Sequence, residues 1–332
     1  MVMASRFRVV VIDHPFDHLE AERRILGEIG AEVVDAQAHT DEAAREACRT
    51  ADAVLVRRFP LTRGVIQAME RCRVICNYGA GYDNVDVAAA EERGIRVAAT
   101  AGYGDDEVAD HTLALLLALA RRIVAQHGHL AAAATDESNV VWSHTPYVPI
   151  RRLRSQTLGL IGLGRIGRTV ARKAMALGLR VIAHDPAVSP EAAASVGAQL
   201  VAEESLLADA DFVSLHAPLT PETRHLIGVA KLATMKPTAY LINCARGGLV
   251  DQRALVDALK EGQIAGAGLD VLETEPPARE TLAALVALPN VILTPHVAWY
   301  SEESMADRQR MAAETVRDAL LHAADRERYA QS

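Results

Sequence analysis

A chain of 332 residues, half of them hydrophobic and 23% charged, has globular composition and enough length for two domains. Its formal net charge of −8 excludes general affinity for nucleic acid, whose phosphates select basic surfaces; the short cluster Arg151, Arg152, Arg154 reads as a solvated interdomain loop. Four cysteines (Cys48, Cys72, Cys76, Cys244) suit a reducing compartment, and Cys72 and Cys76 lack the companions a zinc site needs, so no metal is expected.

The first segment, MVMASRFRVVVID, lacks the apolar core and small-residue cleavage site of a secretory signal, which predicts a cytoplasmic protein. Short β-branched runs then alternate with segments of helical period. Strands are expected at Arg8–Ile12, Glu32–Val34, Ala53–Val56, Val74–Cys76 and Ile95–Val97, and helices at Leu19–Ile29 and Asp41–Cys48. Such alternation predicts a parallel sheet with helices on both faces.

Gly102-Tyr103-Gly104-Asp105-Asp106 interrupts the pattern as a linker and acidic helix start, and a long helix is expected from Asp106 to Gln126. Its apolar run, Leu113 to Ala120, stops at Arg121 and Arg122, far short of the roughly 20 residues that span a bilayer, so no membrane association is expected. Residues 135–155, rich in Ser, Thr, Pro and Arg, read as a loop. A second alternating series follows, with strands at Leu158–Ile161, Arg180–Ala183, Phe212–Leu215, Ala239–Asn243, Ala267–Asp270 and Val291–Leu293, and a last helix from Glu302 to His322. Two doubly wound α/β units account for the whole.

Gly162-Leu163-Gly164-Arg165-Ile166-Gly167 fits G-x-G-x-x-G, a weak signal alone. Its context strengthens it: an apolar strand leads in, a helical stretch leads out, and a second strand ends at Asp185, eighteen residues beyond Gly167. Gly162 permits the tight turn, Gly164 lets the main chain approach a pyrophosphate, and Gly167 lets helix and strand pack closely. The free N–H groups of the helix start attract the phosphates. Asp185 accepts the ribose hydroxyls and repels a 2′-phosphate, which favours NAD over NADP.

Hydride chemistry on a hydroxy acid further needs a proton acceptor, a cation for the carboxylate and a group that holds the base in place. Arg246, Glu275 and His296 each lie just beyond a predicted strand, where open α/β sheets bind ligands. An arginine there can grip a carboxylate with two prongs.

Several segments carry a resemblance: Tyr78-Gly79-Ala80-Gly81-Tyr82-Asp83-Asn84-Val85-Asp86, His216-Ala217-Pro218-Leu219-Thr220-Pro221-Glu222-Thr223, Asn243 to Asp251, Leu269 to Pro277, and Thr294-Pro295-His296. Over about residues 50–310 the chain resembles the D-isomer-specific 2-hydroxyacid dehydrogenases. The resemblance implies a Rossmann NAD-binding domain of residues 103–294 inserted into a flavodoxin-like substrate domain of residues 1–102 plus 295–332. Catalysis would sit in the cleft, with hinges near 100–102 and 295–298. It implies His296 as the acid/base, Glu275 as its partner, and Arg246 as the group that grips and polarises the substrate. His296 would donate a proton during keto-acid reduction and accept one in the reverse direction, so reduction should have the lower pH optimum. The resemblance also places Arg165, Ile166, Ala217, Pro218, Thr223, Cys244, Ala245, Arg246, Asp270 and His296 with the glycines and Asp185 around NAD. It puts Gly79, Ala80 and Gly81 against the substrate carboxylate, with Tyr78 beside them. The 106–126 helix would serve a homodimer; a helix buried within one chain fits the sequence equally.

His296-Val297-Ala298-Trp299-Tyr300-Ser301-Glu302 is most similar to the branch that holds the C-terminal-binding-protein corepressors and neighbours the glyoxylate–hydroxypyruvate reductases. There the tryptophan lines the substrate pocket, which implies the same for Trp299. Asn77 stands where that branch commonly carries arginine. Arg57 aligns with an anion-binding arginine of other relatives, although Arg57 and Arg58 also read as solvated surface. The expectation is an NAD(H)-linked 2-keto acid reductase acting on a small-molecule substrate. Two alternatives are an NAD(H)-sensing corepressor-like scaffold and a phosphite- or formate-type dehydrogenase. The short tail from Ala324 and the intact Arg246, Glu275 and His296 favour the enzyme over the scaffold.

Overall fold

The computed structural model describes residues 7–134 and 142–330, with side chains to His322 in the final helix. The first part of the expected 135–155 loop, residues 135–141, lies outside the described residues, as do residues 1–6 and the chain end at 331–332. The chain divides into two compact units, Met1–Gly104 with Ser301–Ser332, and Asp105–Tyr300.

The first unit carries strands β1 (Phe7–Val11), β2 (Ala31–Asp35), β3 (Ala53–Val56), β4 (Val74–Asn77) and β5 (Arg96–Ala99). All pair in parallel, in the order β2-β1-β3-β4-β5. This is the flavodoxin-like order. Central strands covered on both faces must be apolar on both, and β3 (Ala-Val-Leu-Val) is buried at every position. Local capping fixes helix starts: the Thr40 side chain accepts from Ala43 N, and Asp86 accepts from Ala89 N. The C-terminal helix Glu302–Ala330 returns to this sheet and buries Ala312, Ala313, Val316 and Leu320 among Phe7, Val9, Leu55 and Val74.

The second unit carries β6 (Thr157–Ile161), β7 (Arg180–His184), β8 (Gln199–Leu200), β9 (Phe212–Leu215), β10 (Tyr240–Asn243), β11 (Gly266–Leu269) and β12 (Val291–Leu293). The order β12-β11-β10-β9-β6-β7-β8 is again parallel throughout. It reverses direction at β6, the doubly wound arrangement. Strand β8 has two residues, too few for a periodic signal, and the sequence reading missed it. Register places the ends of four strands level: Ile161 pairs with Leu215, Leu215 with Asn243, and Asn243 with Leu269. Whatever follows each strand therefore emerges along one edge.

The expected 106–126 helix is two helices, Asp105–Ala120 and Ile123–Ala133. Arg122 separates them in the left-handed region at φ 54°. The first buries Leu113, Leu115, Leu116 and Leu119, and the tight fit of Leu115 and Leu119 against Gly268 on β11 makes it a core helix of its own chain. The apolar stripe ends at Ala120, so nothing continues to hold the helix against the sheet. The second helix buries no residue and leaves Ile123 and Val124 more than half exposed. Among the described residues, no helix is long and apolar enough to cross a membrane.

All four cysteines are buried and unbridged, and burial pushes each thiol up to about 12.

Candidate active site

Gly162, His216, Cys244 and Asp270 each follow one of the four level strand ends, which sets the framework of the site in the second unit. Gly162 turns the chain at φ +96°, where a Cβ would strike His216 C at 2.7 Å. A Cβ on Gly167 would lie 2.4 Å from Gly162 O, so helix and turn touch directly. Gly164 differs: nothing stands within 4 Å of its absent side chain. It caps the twelve-residue helix Arg165–Ala176, whose first N–H groups have no partner within the helix. A bare main-chain approach at a helix start is what a pyrophosphate requires, so these residues fit a dinucleotide.

Asp185 follows β7 and accepts from Leu163 N at 2.7 Å and from Ala187 N at 2.9 Å. It thereby ties the second strand's end to the glycine turn, and each oxygen retains capacity for a ribose hydroxyl. Arg165 pairs with Asp105 at 2.7 Å while staying more than half exposed, and Ile166 packs on the core. Thr223 closes its own loop: its hydroxyl donates to Pro218 O and accepts from Thr220 N, both at 2.7 Å. Ala217 lies against Gly162 through its backbone N. Cys244 is a packing residue whose thiol stays protonated at neutral pH.

Asp270 organises the segment that carries the histidine. Only 2% exposed, it accepts from Thr294 Oγ1 at 2.6 Å, Val297 N at 3.0 Å and Ala298 N at 2.9 Å, and its carbonyl accepts from His296 N at 2.8 Å. His111, from the Asp105–Ala120 helix, lies 2.9 Å from Thr294 Oγ1. These bonds hold His296 at φ 56°, a region that costs a non-glycine residue about 1–3 kcal/mol, and they keep residues 294–300 with the second unit. Asp270 thus anchors the 294–298 segment.

His296 Nδ1 lies 2.5 Å from Glu275 Oε2, both about one-third exposed, and Glu275 Oε1 accepts from Leu272 N at 3.0 Å. A carboxylate only accepts, so the ring proton sits on Nδ1 and Nε2 is the nitrogen left for proton exchange. Arg246 begins the turn Gly247–Leu249, with one guanidinium nitrogen 2.8 Å from Ala245 O. Ala245 N in turn donates to Asn243 Oδ1 at 3.0 Å. A Cβ on Gly247 would sit 1.9 Å from Leu272 C, so the arginine turn and the Glu275 loop are in direct contact. Trp299 Nε1 donates to His296 O at 3.1 Å, which fixes the indole to the histidine's own main chain.

In the first unit, Asn77 is no substitute for an arginine. Its side chain donates to Arg57 O and to Asn84 Oδ1, and accepts from Gly79 N at 2.7 Å. The Gly79 amide is therefore engaged by Asn77 at the start of the Gly79–Gly81 loop. The Tyr78 side chain is fully buried, with its hydroxyl donating to Glu22 Oε1 at 2.8 Å inside the core. Arg57 N donates to Asp13 Oδ1, and burial pushes its guanidinium down to about 10.

Three features escaped the sequence reading. His216 bonds Ser214 Oγ at 2.9 Å, and burial pushes it down to about 4, so it stays neutral. His225, at φ 52°, lies 2.6 Å from Glu273 Oε1 and ties the Thr223 loop to the Glu275 loop. Arg308 is 4% exposed and donates to Tyr78 O at 2.6 Å. A lone Ser, His or Arg in a helical or strand pattern carries no signal that separates these from surface residues.

Residues 113–298 match the model of the D-isomer-specific 2-hydroxyacid dehydrogenase NAD-binding domain. D-3-phosphoglycerate dehydrogenase of Methanocaldococcus jannaschii is 42% identical over 299 residues, which are 90% of this chain and 55% of that protein, so the chain spans about half the length of this relative. Glyoxylate reductase of Thermococcus litoralis is 42% identical over 252 residues, 76% of this chain and 75% of that one. The solved structure of D-lactate dehydrogenase from Aquifex aeolicus with NAD and lactic acid has a TM-score of 0.79 at 28% identity, covering 95% of this chain and 96% of that one.

Proposed function

Since the chain belongs to the D-isomer-specific 2-hydroxyacid dehydrogenase family, we propose that it is an NAD(H)-dependent oxidoreductase that interconverts a 2-keto acid and its D-2-hydroxy acid. The observation that carries this reading is the His296–Glu275 pair at 2.5 Å, held beside the Arg246 turn on the sheet edge that also carries the glycine turn. Bound at that turn, NADH supplies the hydride that reduces the keto carbon. His296 Nε2 gives a proton to the developing alkoxide and takes it back in the reverse direction. Glu275 keeps the ring oriented through its contact with Nδ1. Arg246 grips the carboxylate and draws electron density from the carbonyl. Trp299 borders the substrate. The second unit, Asp105–Tyr300, is the NAD-binding domain, and the first, Met1–Gly104 with Ser301–Ser332, the substrate domain.

We also read the protein as a cytoplasmic homodimer. Four unbridged cysteines support a reducing compartment, and the Ile123–Ala133 helix, which buries none of its apolar residues, supports association with a second copy.

Loss of NADH absorbance with a panel of glyoxylate, hydroxypyruvate, pyruvate, phenylpyruvate and 4-methylthio-2-oxobutyrate tests the activity. Turnover of one or more acids, abolished in His296→Ala, supports it. Tight NADH binding with no turnover of any acid would replace it by a sensor.

A further inference from the structure

In the second unit the glycine turn, Arg246 and Asp270 lie beyond the C-terminal ends of the strands, and the opposite ends border a cavity of about 340 Å³. Register keeps the strand starts level, pairing Tyr240 with both Phe212 and Gly266. Gln156 precedes β6, Thr238 and Tyr240 lie at the start of β10, and Asn290 precedes β12; all line this cavity. Arg122 and Arg151 complete its polar lining, and no carboxylate lines it among the described residues. A smaller cavity continues from it and shares Arg122, Tyr240 and Asn290.

Two of these side chains hold hydrogen-bonding capacity that the protein leaves unused. Arg122 stands between two helices at φ 54°, a strained backbone for a residue with a Cβ. Its Nε is buried and bonds to nothing among the described residues. A buried donor without an acceptor is costly, and a bound oxygen would satisfy it. Gln156 is 7% exposed, with its main chain fixed by Leu153 O at 2.8 Å and Arg180 N at 3.1 Å. Its side-chain amide nevertheless bonds to nothing among the described residues. Arg151 lies exposed at the rim, and neither arginine enters an ion pair among the described residues. Two positive charges therefore border one cavity with no counter-charge in its lining.

We propose that this edge of the second unit binds a small organic oxyanion, a phosphate ester or a carboxylate, gripped by Arg122 and Arg151 with Gln156 donating to it. Planar guanidinium groups match either oxyanion with paired N–H donors. The cavity has the size of a small-molecule site and leaves room for a carbon skeleton beyond the anionic group. It is distinct from the dinucleotide site, because Gln156 and Gly162 bracket the five residues of β6, about 17 Å of extended chain. The inference does not depend on the dehydrogenase reading.

The test is a calorimetric titration of the full chain, saturated with NADH so that the glycine turn is occupied. The probes are inorganic phosphate, glycerol 3-phosphate, succinate and citrate at constant ionic strength. Saturable binding is expected, the phosphate and carboxylate probes telling which group is preferred. Arg122→Met should weaken it about 10- to 100-fold, and Arg122→Lys should restore part of the loss. Gln156→Leu should weaken it by less. NADH affinity should stay the same in all three variants, which reports an intact fold. No saturable binding of any probe, or equal affinity in the wild type and Arg122→Met, would overturn the site. Binding seen only without NADH would place the anion at the glycine turn and overturn it equally. If Arg122→Met does not fold, Arg151→Met at the exposed rim must weaken the binding for the site to stand.

Discussion

Asp270 and His296 are joined through the main chain, His296 N donating to Asp270 O at 2.8 Å while the Asp270 carboxylate collects the two amides that follow the histidine. The left-handed backbone of His296 is thus fixed from behind by a carboxylate that need not touch the substrate. Asp270→Asn should keep the fold yet weaken two charge-assisted bonds, lowering stability by about 1–3 kcal/mol. In urea denaturation and steady-state kinetics, kcat should fall with NADH affinity nearly unchanged. A loss confined to NADH affinity would instead return Asp270 to the nicotinamide.

His296→Ala should reduce turnover about 10²–10⁴-fold, the usual worth of a general acid–base group, with NADH binding retained by fluorescence titration. Glu275→Gln should cost less, since it orients the ring without exchanging the substrate proton. Rate profiles against pH should place the optimum for reduction below that for oxidation, because the histidine must carry its proton in one direction and lack it in the other. Coincident optima would remove His296 from the proton's path.

The glycine turn offers a paired comparison. Gly167→Ala drives a methyl to 2.4 Å from Gly162 O and should destabilise the protein by about 1–3 kcal/mol, read as a lower melting temperature. Gly164→Ala points into open space and should melt near the wild type. Its methyl should nevertheless weaken NADH binding, since it stands where the pyrophosphate approaches. Equal melting of both variants would show that the turn tolerates repacking.

His216 predicts an acid-side loss of stability. Burial lowers its folded pKa to about 4, below the ordinary value of 6.5, so the unfolded chain binds more protons between those two pH values. Stability from this group is fully present above pH 6.5 and falls as pH drops, at up to about 1.4 kcal/mol per unit, down to about pH 4. His216→Gln should flatten that part of the denaturation profile relative to wild type. An unchanged slope would assign it to other groups.

Most of the fold was legible because the strands announce themselves: Ala53–Val56, Phe212–Leu215 and Val291–Leu293 are short apolar runs that the structure keeps residue for residue. Gly162 and Gly167 were legible for the same kind of reason, since their contacts leave room for no other residue. The break at Arg122 was not, because nothing in the apolar pattern marks a left-handed residue between two helical stretches. The Tyr78–Arg308 bond depends on a helix returning from the far end of the chain. No local pattern encodes that return.

The buried cysteines have a practical consequence. With every native thiol pushed up to about 12, thiol-directed dyes have almost no thiolate to attack at neutral pH. A single cysteine introduced at an exposed position such as Val229, 68% exposed, would become the one fast-reacting group, and a probe could be installed there without first removing any of the four.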